Sequence, residues 1–156
     1  MSKNLENILL ISCRSPFLDS DKVYPPLANL YLHQYIKENM PNVKVKVTDD
    51  YNFKDIDWLE GFDSVGISIM TPQREEAYKV LDFIKGNFIN KTVIAGGHHV
   101  KHYKDECVKQ RFDYIVPHDG LRSMIKILKG EATDRVVSDF IPVNESIDNK
   151  NIVFIG

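Results

Sequence analysis

Two short stretches of this 156-residue sequence gather residue types that could hold a ligand. Ser68, Met70, Thr71, Pro72 and Gln73 follow the apolar run Val65, Gly66, Ile67. Gly96, Gly97, His98 and His99 follow Val93, Ile94, Ala95. A serine hydroxyl at a strand end can donate to a ring nitrogen or accept from an amide, or it can cap the backbone that follows. Paired glycines let the backbone approach a ligand, because neither carries a Cβ; a glycine pair also makes a plain tight turn.

Other groups offer less. His98, His99 and His102 cluster in sequence, but no carboxylate or cysteine stands with them at a metal-ligand spacing, so a polar loop is the better reading. His118 could reach a metal, though a loop role suits it as well. Cys13 closes an apolar run and suits a small core position; Cys107 suits a structural one. Asp49 and Asp50 stand where dinucleotide folds bind a ribose, but the first strand is not followed by Gly-x-Gly-x-x-Gly. A phosphorelay receiver would need a phosphoacceptor aspartate where Ser68 to Gln73 stand.

These residues need a frame. Apolar runs predict strands at 8–13, 64–70, 92–95 and 113–117. Val43, Val45 and Val47 alternate with Lys44, Lys46 and Thr48, which predicts an edge strand with one wetter face. Helical spacing predicts helices at 25–39, 72–87, 100–111 and 121–129, and one short turn at 57–61. The alternation predicts an α/β fold: a doubly wound, five-stranded parallel sheet in three layers, with flavodoxin-like order 2-1-3-4-5. Ligands in such sheets sit outside the carboxyl ends of the strands, so both loops should open onto one crevice. Residues 1–132 are expected to form one domain. Residues 133–156 are expected to be a linker and the start of a further element of a longer chain.

Bulk properties narrow the class. A formal net charge of −2 gives no electrostatic case for nucleic acid or an anionic membrane. No apolar run approaches the ~20 residues of a membrane span, and no signal-peptide core follows the N-terminus. The 2 cysteines form neither a disulfide framework nor a zinc spacing. A cytoplasmic protein is expected.

The ordered set of motifs resembles the cobalamin (vitamin B12)-binding domain at the N-terminus of B12-dependent radical S-adenosylmethionine enzymes. Its carriers are Ile8 to Ile11, Tyr24-Pro25-Pro26-Leu27-Ala28-Asn29-Leu30, Val65 to Gln73, Ala95-Gly96-Gly97-His98-His99 and Phe112 to Val116. The resemblance implies a pocket for cobalamin built from Tyr24, Pro25, Ser68, Met70, Thr71, Pro72, Gln73, Gly96, Gly97, His99, His118 and Gly120. Small residues, Gly66 and Ala95 among them, would line a slot for the nucleotide tail. Met70, Tyr24 and Pro72 would cover the corrin face.

The resemblance also implies the cofactor's state. Related B12 folds carry an Asp-x-His-x-x-Gly motif after the first strand, but residues 14–24 here contain no histidine. Base-off cobalamin with no imidazole from that loop is therefore expected. A [4Fe-4S] cluster and S-adenosylmethionine would belong to a C-terminal radical domain, since this sequence has no Cys-x-x-x-Cys-x-x-Cys. No catalytic residue or metal ligand is assigned within this sequence. One departure stands out: many members carry Gly-Glu-Gly-Glu after the fifth strand, and this sequence has Pro117-His118-Asp119-Gly120. Two alternatives stay open: a stand-alone adaptor or cobalamin carrier without catalysis, and a nucleotide- or flavin-binding module.

Overall fold

Apolar residues unbroken along a strand have to be buried on both faces, and the structure covers both. The computed structural model describes residues 4–14, 27–118 and 120–138. Five strands form one parallel sheet: β1 (Asn7–Ser12), β2 (Lys44–Thr48), β3 (Ser64–Ser68), β4 (Thr92–Gly96) and β5 (Tyr114–Ile115). Their order is β2-β1-β3-β4-β5, as the alternation predicts. The order reverses direction between β1 and β3, which is the switch point where such sheets open.

Helices sandwich the sheet. On one face α1 (Leu27–Asn39) and α5 (Leu121–Leu128) bring Ile36, Met124, Ile127 and Leu128 onto Ile8, Leu10 and Ile94. On the other, α2 (Arg74–Asn87) brings Ala77, Val80, Leu81 and Ile84 onto Leu9, Ile11, Val65, Ile67 and Val93. Each fully buried aliphatic side chain contributes roughly 1.5–3 kcal/mol relative to its exposed state. The edge strand behaves as its pattern predicts: Val45 and Val47 are half-buried while Lys44 and Lys46 are exposed.

Several boundaries differ from the sequence expectation. β3 ends at Ser68, not at residue 70, because a 3-10 turn over Thr71–Gln73 follows and Gln73 N–H bonds to the Met70 carbonyl at 2.8 Å. Proline in that turn has no N–H to lose. The single helix expected at 100–111 is two short ones, α3 (His98–His102) and α4 (Lys104–Val108). Tyr103 between them sits at φ −129°, ψ 43°, outside helical geometry.

Order also continues past residue 132. Val136 forms a parallel bridge to Ile115: Ile115 N–H donates to Arg135 O, and Val137 N–H to Ile115 O, both at 2.8 Å. Ala132 and Val137 are buried. No helix among the described residues is long and apolar enough to cross a membrane.

Candidate functional site

The carboxyl ends of three central strands lie level. Ser12 pairs with Ser68, and Ser68 with Gly96. Register partners in a parallel sheet project to the same face, so Ser12, Ser68 and Gly96 form a row. Asn29 on α1 identifies the face, because its Nδ2 donates to Ser12 Oγ at 3.0 Å. Asn29 is 4% exposed, whereas Ser12 and Ser68 are half-buried.

Among the described residues, that face is open at the top and closed below. A Cβ on Gly96 would meet no atom within 4 Å. One step down β3, a Cβ on Gly66 would lie 2.8 Å from Leu10 Cδ2 and 3.6 Å from Met124 Cε. Gly66, expected to line a slot, is therefore packed at the floor. The row of small residues caps an apolar floor made of two flexible side-chain tips, and its two hydroxyls are a donor set that suits the end of a planar ligand group.

The opposite face is closed by hydrogen bonds. Ile69 N–H donates to Gly96 O at 2.8 Å, and Ile69 O accepts from His99 N–H at 2.9 Å. This double clip presses Gly97 onto the Ile69 peptide. Gly97 has φ 102° and ψ −177°, a region essentially reserved for glycine. A Cβ there would fall 2.7 Å from Ile69 N and 2.8 Å from Ile69 O. Gly97 thus joins two strand ends, while Gly96 leaves space.

Gln73 and His99 complete the closure. Gln73 Nε2 donates to Cys13 O at 2.7 Å, and its Oε1 accepts from Met70 N–H at 3.1 Å, tying β1 to the loop after β3. The His99 side chain is fully buried. Its Nδ1 lies 3.2 Å from Thr71 Oγ1, and its Nε2 lies 3.2 Å from both Tyr78 Oη and Glu106 Oε1. With its proton on Nε2, the ring accepts from Thr71 and donates on the other side.

Tyr78 O–H donates to Glu106 at 2.7 Å. Burial, then that bond, pushes the Tyr78 phenol far up, while the Tyr78 hydroxyl, working against burial and joined by His99, holds Glu106 below the usual carboxylate range. Burial also raises the Cys107 thiol, whose sulfur lies 3.8 Å from Tyr78 Oη.

The remaining expected site residues divide. Met70 (48% exposed) and Pro72 are exposed in the turn that follows β3. The loop carrying His118 and Gly120 leaves beside β4, since Val116 N–H bonds to Ala95 O at 2.8 Å; His118 is exposed and Gly120 precedes α5. Tyr24 and Pro25 lie outside the described residues. His98 and His102 stack edge-on at 5.2 Å on the surface while His99 turns inward, so the three do not converge. Among the described residues no group of three or more His, Cys, Asp or Glu could hold a metal ion.

Sequence reasoning gave no site role to Ser12, Asn29, Tyr78 or Glu106. Counting β1 in register against Ser68 would have found Ser12. The other three needed the helices placed. A basic cavity lined by Tyr35, Arg122, Ile125, Lys126, Lys129 and Glu131 lies between α1 and α5. It involves the carboxyl end of α5, which lies at the amino ends of the strands, away from the row.

No family model matches the chain, and no curated protein matches it. Solved structures do. A cobalamin-dependent S-adenosylmethionine radical enzyme, OxsB, with aqua-cobalamin bound matches with a TM-score of 0.65 at 18% identity. The match covers 88% of this chain and 23% of that one. The same enzyme with aqua-cobalamin and S-adenosylmethionine bound matches with a TM-score of 0.66 at 17% identity over the same shares. The N-terminal domain of a hypothetical protein from Thermotoga maritima matches with a TM-score of 0.55 at 20% identity, over 79% of this chain and 99% of that one. The chain therefore spans about a quarter of the enzyme's length, and at these identities what is shared is the fold.

Proposed function

We propose that this chain is a cobalamin-binding module whose cofactor sits at the carboxyl ends of β1, β3 and β4. The observation that carries the reading is the position at Gly96, open among the described residues and beside the Ser68 hydroxyl, next to the switch point of a 2-1-3-4-5 sheet. The fold shared with a structure that holds aqua-cobalamin supports it. Ser68 and Gly96 would hold the tail. Gly97 and Gln73 would keep the strand ends in place, with His99 bracing the wall from behind. Met70, Thr71 and Pro72, with Tyr24 and Pro25, would border the corrin ring, and His118 and Gly120 the neighbouring wall.

When bound, the cobalt supplies the chemistry; the residues here bind and orient. The cofactor would be base-off, without imidazole from residues 14–24. The wider reading is that a radical domain in the same parent chain supplies a [4Fe-4S] cluster and S-adenosylmethionine, in the cytoplasm.

Titration of the folded protein with hydroxocobalamin, followed by visible absorption and calorimetry, tests the proposal. Saturable binding supports it; no binding at high micromolar cobalamin overturns it. Strong axial nitrogen splitting in the Co(II) resonance would overturn the base-off assignment alone. A second reading has one observation in its favour: the floor at Gly66 is packed by Leu10 and Met124. A floor that does not yield to a tail would leave an adaptor or carrier, or a nucleotide or flavin module. A bound flavin on purification, with no corrinoid binding, would select the last.

A further inference from the structure

We infer that Asn29 and Ser12 together read the nitrogen heterocycle at the end of the ligand's tail, an inference that rests on the cobalamin reading above. In base-off cobalamin the nitrogen that would otherwise bind cobalt is left with a lone pair. Buried without a donor, that lone pair costs the full desolvation of an acceptor. The α1/α5 face offers two hydroxyls side by side, on Ser12 and Ser68, in direct register.

Asn29 sets what Ser12 can do. Its Nδ2 donates to Ser12 Oγ at 3.0 Å, so the hydroxyl serves as acceptor toward the helix and keeps its own proton to donate. Asn29 is 4% exposed, on a helix whose other buried side chain among the described ones, Ile36, is apolar. A hydrocarbon there would be the cheaper core residue. Below the pair, the atoms nearest to a Cβ on Gly66 belong to the apolar side chains of Leu10, Met124 and Ile8. Among the described residues, Ser12, Ser68 and Asn29 are therefore polar groups at the edge of the floor, where the leading edge of an entering ring would stop.

The test compares cobalamin with cobinamide, a corrinoid that lacks the nucleotide tail, by visible titration of the same protein. Wild type is expected to bind cobalamin more tightly. Ser12→Ala is expected to weaken cobalamin about fivefold, the loss of one hydrogen bond, and to leave cobinamide unchanged. Asn29→Asp is isosteric but accepts from Ser12 and draws its proton away, so it should act in the same direction with cobinamide again unchanged. Unchanged cobinamide binding also certifies the fold of each variant; if Asn29→Asp does not fold, Ser12→Ala decides alone.

Equal affinity of wild type for the two corrinoids overturns the inference and leaves the cobalamin reading standing. So does a parallel loss of both in Ser12→Ala. Failure of folded wild type to bind either corrinoid overturns both.

Discussion

The two faces of one sheet edge are built on opposite plans. Toward α1 and α5, Ser12, Ser68 and Gly96 are small and, among the described residues, leave an opening over an apolar floor. Toward α2, α3 and α4, the next residues along each strand are Cys13, Ile69 and Gly97, all locked in place. The difference is one residue of register. Side chains alternate across a strand, so a step from Ser68 to Ile69, or from Gly96 to Gly97, crosses the sheet. An open pocket at a strand end needs a rigid back wall, or the strands close into it. The hydrogen bonds of Gln73 and His99 provide that wall.

The sharpest way to break this contrast is to place the same methyl group on the two adjacent glycines. Gly97→Ala is expected to destabilise the protein by about 3 kcal/mol or more, from positive φ and a clash with the Ile69 peptide. The check is the denaturant midpoint at unchanged slope. Gly96→Ala, where a Cβ meets nothing within 4 Å, is expected to leave stability within about 0.5 kcal/mol. Equal effects at the two positions would erase the distinction between wall and opening.

His99→Ala removes the brace behind the wall. Loss of its bonds to Thr71, Tyr78 and Glu106, plus the cavity left, is expected to cost on the order of 2–3 kcal/mol. Thermal unfolding measures it, and a neutral outcome would show the network to be ornamental. On the open side, Gly96→Val should leave the fold stable yet weaken cobalamin by roughly tenfold, about 1.4 kcal/mol, because the side chain fills the space beside Ser68. Ser68→Ala should cost about 1 kcal/mol of binding and little stability. An unchanged cobalamin titration in Gly96→Val would move the pocket elsewhere.

The smallest expected effect is on the pH dependence of the back wall. The folded protein lowers the pKa of Glu106, mainly through the Tyr78 hydroxyl. A carboxyl lowered in the folded state contributes stability that is whole above its unfolded pKa and is lost as pH falls through the folded value. Its side chain is 39% exposed, so solvent screens much of the contribution. Glu106→Gln is expected to flatten the acid limb of the stability profile slightly and to leave neutral pH nearly unchanged. An identical acid limb would remove Glu106 from the latch.

The sequence by itself determined the sheet. Continuous apolar runs at β1, β3 and β4 must be buried on both sides, and alternation with helical stripes admits few arrangements besides 2-1-3-4-5. It also placed Ser68 and Gly96 at strand ends, since a strand's end is marked by local chemistry. Local chemistry misjudged one fine bound: residues 69–70 look like strand but belong to a clipped loop, and in the stretch read as linker Val136 forms an isolated bridge to Ile115.

Only the tertiary structure decided which glycine opens and which one joins, because that depends on what lies across from each Cβ. The same holds for His99, whose position suggested the pocket and whose ring faces the core, among partners 28 residues before it and 7 after it in the chain. Asn29 belongs to the Tyr24-to-Leu30 motif, but nothing local assigns it a role at the site. It acquires a role only when α1 lies against β1 and brings its carboxamide to Ser12, a contact between residues 17 apart that no local pattern encodes.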